Sequence, residues 1–499
     1  MKEFLNYTTP EKAGISSKNV IKFLDELEHY GVYLHGFALV KGHDVFAEGY
    51  RAPFRKGEPH RLYSVSKTFT SMAMGCLIGE GKAKLTDTVI SFFPEYDEKV
   101  TDPYVRNITI EDCLLMATAF SYGTTYSAKR PAYLEPDWVH TFFNVDASHP
   151  SGTVWNYDTS GSYMIGVIVE KVTGKPFIEY LKEKALLEIG CSNDITCLKA
   201  PEGYAWGGSA VLASTIDLAR FARLVMDKGE WDGRQLLPGD YVEAAISKKI
   251  DNGQEGFFTF TEGHGYGYQI WRTLDNTFSF LGMGGQLAIC MPDEDLLFVC
   301  NADIQGLPGD YAPIYMCLWK HIKELIGSTS LAEDRDSYDK LINKCANLEY
   351  PVFPGDKTSK VSEYIKGKKY VLNDNTMGIR DIIFDFDNDG NGVMKFTNEQ
   401  GYKELRFGIG KTIIGEFPQD GYFGDTIGKD GNRRYRCIAS GAWTTATTLH
   451  IKADVIDDYF GNVSIIADFK GNEIGLYMQP HAEWFMLEYK GFAGGKINE

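Results

Sequence analysis

Apolar residues recur along this chain with two periods, and the switch between them divides it. In "SKNVIKFLDELEH", residues 17–29, Val20, Phe23, Leu24 and Leu27 fall on one helical face behind a serine at the start. "GFALVKGHDVFAEGY", residues 36–50, reads as two strands joined by the tight turn "KGHD". The next run, "HRLYSVSKTFTSMAMGCLIGEG" at 60–81, is apolar on nearly every side, which predicts a helix buried in the middle of its domain. "YMIGVIVEKVTGKPFIEYLKEKAL" gives two helices divided at Gly174 and Pro176, and "STIDLARFARLVMDKG" an amphipathic helix closed by Gly229. Four short apolar runs follow, "GYGYQIWR", "FSFLGMGG", "QLAICMP" and "LLFVCNAD", spaced as adjacent antiparallel strands, and "YAPIYMCLWKHIKELIG" closes the region as a helix. Strands at both ends of a long helical middle predict an α+β fold, an antiparallel sheet with helices packed on it.

Near residue 350 the period changes. The charged helical segment "AEDRDSYDKLINKCANLEY" leads into the Pro/Gly-bearing "PVFPGDKTSK", and beyond it the pattern is strands and turns: "KKYVLND", "DIIFDFDNDGNGVMKFTN", "GKTIIGEF", "TTLHIKADV", "NVSIIADF", "EIGLYMQ" and "EWFMLEY". About eight strands and no long helix predict a separate all-β domain, a small barrel or curved sheet. The expected division is a first domain over 1–345, a linker over 346–355 and the β domain over 356–499. "DFDNDGNG" opens like a calcium loop, but with Asp385 as first position the twelfth is Phe396 where a glutamate is required, so it reads as a hairpin turn.

Composition narrows the function. At 499 residues, 43% hydrophobic and 24% charged, the chain is an ordinary soluble protein too long for one domain. A net charge of −17 without a Lys/Arg-rich stripe argues against nucleic acid and anionic lipid as partners. The N-terminal stretch has no apolar core for a signal peptide and no window could span a bilayer, so the expected address is cytoplasmic. The nine cysteines are scattered without CxxC pairing, and Cys290 and Cys300 lie in apolar runs where a free thiol packs as a small hydrophobe. No HExxH or His/Cys ligand spacing occurs, and His264 reads as a loop residue; neither a metal nor a cofactor is expected.

The chemistry-bearing candidates are three. Ser64 and Lys67 head the buried helix, three apart and therefore one turn along the same face. Burial and the positive end of the helix dipole both disfavour an ammonium there, and a neutral amine beside a serine makes an activated nucleophile. The same residues also suit a serine that caps the helix with a lysine snorkelling from its first turn. Spacing does not choose, since Ser337 and Lys340 repeat it in a charged, solvent-like helix. Tyr157, in "SGTVWNYDTSGSYMIGVIVEKVTG", precedes a Gly-containing turn and an apolar helix, where its hydroxyl can face a cleft or pack as an aromatic. The glycines of "FLGMGGQLAICMP" let backbone N–H groups approach a ligand, or make a tight turn.

In this order and spacing the segments resemble the serine β-lactamase-like hydrolase superfamily, in the branch of class C β-lactamases, D-aminopeptidases, family VIII esterases and 6-aminohexanoate-dimer hydrolases. S-x-x-K is a known signature of class A β-lactamases and penicillin-binding proteins. The resemblance runs from "TPEKAGIS" to about residue 325, through "DCLLMATAFSYG", "PSGTVWNYDTSGSYMIG", "AWGGSAVLASTIDLARFARLVMDKGEWDGRQLLP" and "GMGGQLAICMPDEDLLFVCNAD". It implies a β-lactamase/penicillin-binding-like domain followed by the barrel-like one. It implies Ser64 as acyl-accepting nucleophile, Lys67 as its proton partner, Tyr157 sharing the base role and returning the proton to the leaving group, and an oxyanion hole from the N–H of Ser64 and of Gln286, with Gly285 the neighbouring candidate.

Two departures bear on substrate. The family's Tyr-x-Asn is Tyr157-Asp158-Thr159, a hydroxyl in place of an amide, and its Lys-Thr-Gly or His-x-Gly is Met283-Gly284-Gly285, without the cation that holds a substrate carboxylate. The loss of that cation, together with the cytoplasmic address, points to a small-molecule ester or amide lacking that carboxylate. A true β-lactamase, a D-amino-acid peptidase, and a non-catalytic binding or sensor protein on the same fold are the alternatives. The β domain is expected to cover the cleft as in the D-aminopeptidase relatives, to extend the fold, or to mediate homo-oligomerisation.

Overall fold

A computed structural model describes residues 3–121, 136–253, 260, 263–420, 434–482 and 486–497. The chain divides into two compact units at Leu348/Glu349. The first is built on a seven-stranded sheet of β1 (Asn6–Tyr7), β2 (Leu34–Lys41), β3 (Asp44–Tyr50), β6 (Trp271–Arg272), β7 (Phe278–Gly282), β8 (Gln286–Met291) and β9 (Leu296–Ala302), in the order β1-β3-β2-β9-β8-β7-β6. The expected "GYGYQIWR" strand is thus reduced to the two residues of β6. Every pairing is antiparallel except the short parallel contact of β1 with β3. N-terminal and C-terminal strands meet where Phe37 pairs with Cys300 and Leu39 with Phe298.

The central strands are buried on both faces, so alternation assigns each side chain a helix layer. Phe37, Leu39, Leu281, Leu287, Ile289 and Phe298 share one core with Val20, Phe23, Leu24 and Leu27 of α1 (Ser17–His29). That helix starts where the Ser16 side chain accepts the Asn19 N–H. Phe280 turns the other way and meets Phe221 of α4 (Thr215–Met226) at 5.9 Å, and Phe221 stacks at 3.8 Å on Phe69 of α2 (Ser66–Gly79). All three rings are fully buried. Truncating Phe221 would cost about 3–5 kcal/mol. α2 packs in turn against α3 (Thr159–Thr173). β4 (His60–Arg61) pairs with β5 (Val211–Ala213) in a small three-strand sheet completed by Thr196–Cys197, and leads through a 3₁₀ turn into α2.

The segment "RDSYDKLINKCA" forms α5 (Arg335–Ala346), whose Lys344 bonds Glu28 and Asp25 of α1. The second S-x-x-K copy lies on it with Lys340 exposed and the Ser337 hydroxyl donating to Asp334 at 2.8 Å.

The second unit holds β10 (Lys369–Leu372), β11 (Asp381–Phe386), β12 (Asn391–Asn398), β13 (Gly401–Ile409), β14 (Ile413–Asp420), β15 (Arg434–Trp443), β16 (Thr448–Ile456), β17 (Phe460–Lys470), β18 (Glu473–Ala482) and β19 (Gly491–Ile497). A parallel pairing of β13 with β15, Gly408 opposite Ser440, closes nine of them into a barrel, while β14 pairs only with β15. Strict alternation, as in β12 and β16, sends Met394, Phe396, Leu449 and Ile451 inside. The strand count exceeds the expected eight. β13, β15 and β19 are the additions; β19, "GFAGGKI", is too glycine-rich to show alternation. Of "EWFMLEY", Glu483–Phe485 lie outside the described residues and Leu487–Tyr489 form a 3₁₀ turn instead of a strand. "DFDNDGNG" is a hairpin turn in which Asp387 accepts the N–H groups of Asp389 and Asn391.

One buried pair in the first unit gives stability a pH dependence. His35 Nδ1 lies 2.9 Å from His60 Nε2, and His60 Nδ1 faces the Arg61 carbonyl at 3.0 Å. Nδ1 of His60 therefore donates, Nε2 accepts from His35, and both rings are neutral. Burial pushes His60 down to about 3 and His35 well below its ordinary value. Below pH 6.5 the unfolded chain takes up protons that the folded one refuses, so stability falls as pH falls toward the folded value. The slope is about 1.4 kcal/mol per pH unit for each imidazole. Denaturant melts from pH 7 to pH 5 should show this loss, and His60→Gln should flatten the curve; equal slopes in the two proteins would refute the assignment.

Candidate active site

Ser64 stands in the middle of a single 3₁₀ turn, Tyr63–Val65, that feeds α2 at Ser66. The helix is preceded by Val65 and takes no side-chain cap, so Ser64 is not a capping serine. Tyr63, just before it, has φ of 46°, a left-handed conformation that costs a non-glycine residue about 1–2 kcal/mol. The turn leaves Ser64 half-buried with Lys67 fully buried one turn on.

Lys67 Nζ lies 2.9 Å from Ser64 Oγ and donates to the Gly208 carbonyl at 2.6 Å. It also sits 5.0 Å from the centroid of the Tyr157 ring, and the Ser64 side chain acts electrostatically on that residue's phenol. Trp271 stacks on Tyr157 at 5.7 Å and Trp155 flanks it at 6.3 Å. Burial pushes the Tyr157 phenol above its ordinary range, with Ser64 opposing, so it is protonated at neutral pH. Ser64, Lys67 and Tyr157 thus converge from two helix starts.

The next residue, Asp158, is buried and caps α3, accepting from Ser160 N at 2.8 Å and from Thr118 Oγ1 at 2.7 Å. Burial raises its pKa, while the Ser160 and Thr118 bonds and the charge of Lys67 pull the other way. Thr159 opens α3 and is buried against Gly208, where an added side chain would strike its methyl group.

Gly285 and Gln286 lie where β7 turns into β8. Gly285 donates its N–H to the Gly282 carbonyl at 3.3 Å, and Tyr311 Oη donates to the same carbonyl at 2.9 Å. Gln286 pairs with Gly282 and buries its carboxamide, which donates to the carbonyls of Met283 at 3.0 Å and Ala302 at 2.7 Å and accepts from Asn301 at 3.1 Å. Gly282 is the residue that touches the nucleophile's turn: a Cβ on it would fall on the Leu62 carbonyl. Among the described residues no group of three His, Cys, Asp or Glu could hold a metal ion, and no helix is long and apolar enough to cross a membrane. All nine cysteines are free.

A family model described as Beta-lactamase matches residues 19–313, more than half of the chain. The chain belongs to the beta-lactamase family. As a beta-lactamase-family protein it is 28% identical over 283 residues to the 6-aminohexanoate-dimer hydrolase of Paenarthrobacter ureafaciens, covering 53% of this chain and 71% of that one. Its fold is similar to a solved structure titled a putative 6-aminohexanoate-dimer hydrolase from Bacillus anthracis, with TM-score 0.50 and 18% identity, over 66% of this chain and 89% of that one. EstCE1, titled a hydrolase with promiscuous acyltransferase activity, has TM-score 0.51 and 15% identity over 62% of this chain and 99% of that one. The relative from Paenarthrobacter ureafaciens supports a hydrolytic enzyme of the beta-lactamase family, and the two solved structures show the fold.

Within this beta-lactamase-family site, sequence reasoning did not single out Gly208, Thr118, Arg61 or Tyr311. Two signals were there to be read: consecutive glycines in "AWGGSA", and one arginine in the otherwise apolar approach to the nucleophile, "HRLYSV". Gly282→Ala should destabilise the protein by about 1–3 kcal/mol, because a backbone carbonyl cannot rotate away as a side chain can. A thermal melt matching the native protein would show that the turn and the nucleophile are not in contact.

Proposed function

We propose that this protein hydrolyses a small-molecule ester or amide through an acyl-enzyme on Ser64. The observation that carries the reading is the Lys67 amine held between the Ser64 hydroxyl and the Gly208 carbonyl. With one N–H spent on that carbonyl, the amine in its neutral form can turn its lone pair to Ser64 Oγ. This is a nucleophile, a base and an orienting third group.

Ser64 Oγ attacks the substrate carbonyl carbon as its proton passes to Lys67. Tyr157, protonated at rest and beside Lys67, relays a proton to the leaving oxygen or nitrogen as the C–O or C–N bond breaks. The N–H of Ser64 and a donor from the turn at Gly285 and Gln286 hold the oxyanion. Water then attacks the acyl carbon by the reverse proton route and releases the acid. Met283-Gly284-Gly285 offers no cation to a substrate carboxylate, which favours substrates without one. The relative from Paenarthrobacter ureafaciens, named as a hydrolase of a 6-aminohexanoate dimer, supports the amide arm.

Intact-protein mass after a fluorophosphonate probe should show one adduct on the native chain and none on Ser64→Ala. Tyr157→Phe should lower p-nitrophenyl ester turnover by about 10²–10⁴-fold. A folded native protein that takes no adduct, or a Tyr157→Phe variant with full turnover, would sink the proposal.

A further inference from the structure

The amine of Lys67 is only as well placed as the Gly208 carbonyl, and that carbonyl sits in an intrinsically soft stretch. Gly207 and Gly208 are consecutive, with no Cβ to restrict either backbone. The segment is fastened to the nucleophile's helix at its ends, by Thr70 Oγ1 donating to the Gly207 carbonyl at 2.8 Å and by Val211 N donating to Ser66 Oγ at 2.9 Å. Ser209 and Ala210 donate their N–H groups back to the Trp206 carbonyl at 3.2 and 3.1 Å, and the side chain that grips this turn beside Gly208 is Arg61. Its guanidinium is fully buried and donates from Nε to the Ser209 carbonyl at 3.0 Å and from Nη2 to the Ser209 hydroxyl at 3.2 Å. The same guanidinium lies 4.3 Å from the Tyr63 ring centroid and 5.1 Å from that of Trp206. One cation therefore touches the left-handed residue that precedes Ser64, the residue that precedes the two glycines, and the residue that follows them.

Resting on the Ser64 and Lys67 reading above, we propose that Arg61 is a positioning residue, clamping Ser209 so that the Gly208 carbonyl directs the Lys67 amine at Ser64. It acts through backbone and touches no substrate. A planar fork is needed to meet the carbonyl and hydroxyl of one residue while stacking on two rings, and a lysine cannot reproduce it. Loss of the clamp leaves substrate contacts in place and misdirects the base, so kcat should suffer and KM should not.

The test compares native protein, Ser64→Ala, Arg61→Lys and Ser209→Ala by melting temperature, by rate of fluorophosphonate labelling, and by kcat and KM for p-nitrophenyl butyrate across pH. Arg61→Lys should lower both the labelling rate and kcat by about 10–100-fold with KM within about twofold of native, the scale of a small misplacement of a catalytic group. Ser209→Ala removes one acceptor only, and should lower kcat by about 2–10-fold at native KM and native melting temperature. Folded Arg61→Lys with native kcat overturns the proposal; if that variant does not fold, native kcat in Ser209→Ala overturns it. If the native chain neither labels nor turns over, the Ser64 reading fails first and this one with it.

Discussion

The close approach of the 207–211 segment to the head of α2 is the constraint on which the site depends. Three kinds of contact make it: strand pairing of β4 with β5, side-chain hydroxyls of α2 reaching backbone groups, and Lys67 ending on the Gly208 carbonyl. Gly207 and Gly208 are what allow it, since a Cβ on either would strike Thr70 or Thr159. A buried lysine is costly to desolvate; here the Gly208 carbonyl and the Ser64 hydroxyl satisfy its amine.

Around that contact, polar groups are held by other buried polar groups. Asp158 caps α3 and holds the helix start that carries Tyr157, with Thr118 bonded to its far oxygen. On the sheet side Thr215 bonds Asn301, Asn301 bonds Gln286, and Gln286 holds the carbonyls of Met283 and Ala302. Such networks are costly when half-made and rigid when complete, which suits a turn whose N–H groups are proposed to meet a developing oxyanion. The aromatic wall of Trp155, Trp271 and Tyr266 then fixes the Tyr157 ring from behind.

The second unit obeys a simpler rule. Alternation fills the barrel from strands whose other face is wet, and β13 closes it against β15, leaving β14 paired on one side only.

Periodicity alone determined the elements that bury one continuous face: α1, the β2–β3 hairpin, the strands β7 to β9, α4, and the change to an all-β unit near residue 350. Local chemistry also separated the Ser64 and Ser337 copies of one motif, because apolar neighbours follow the first and charges follow the second. Tertiary structure decided the rest. Gly208 is about 140 residues from Lys67, and no local period announces that its carbonyl is the lysine's partner. Arg61 looks like a stray charge until the fold brings Ser209 to it. Gln286 was named for its N–H, and it is packing that set its carboxamide to holding the turn. Short-range pattern fixes which face of an element is buried. Which distant backbone group meets a buried amine depends on how those faces pack, and that information is spread over the whole chain.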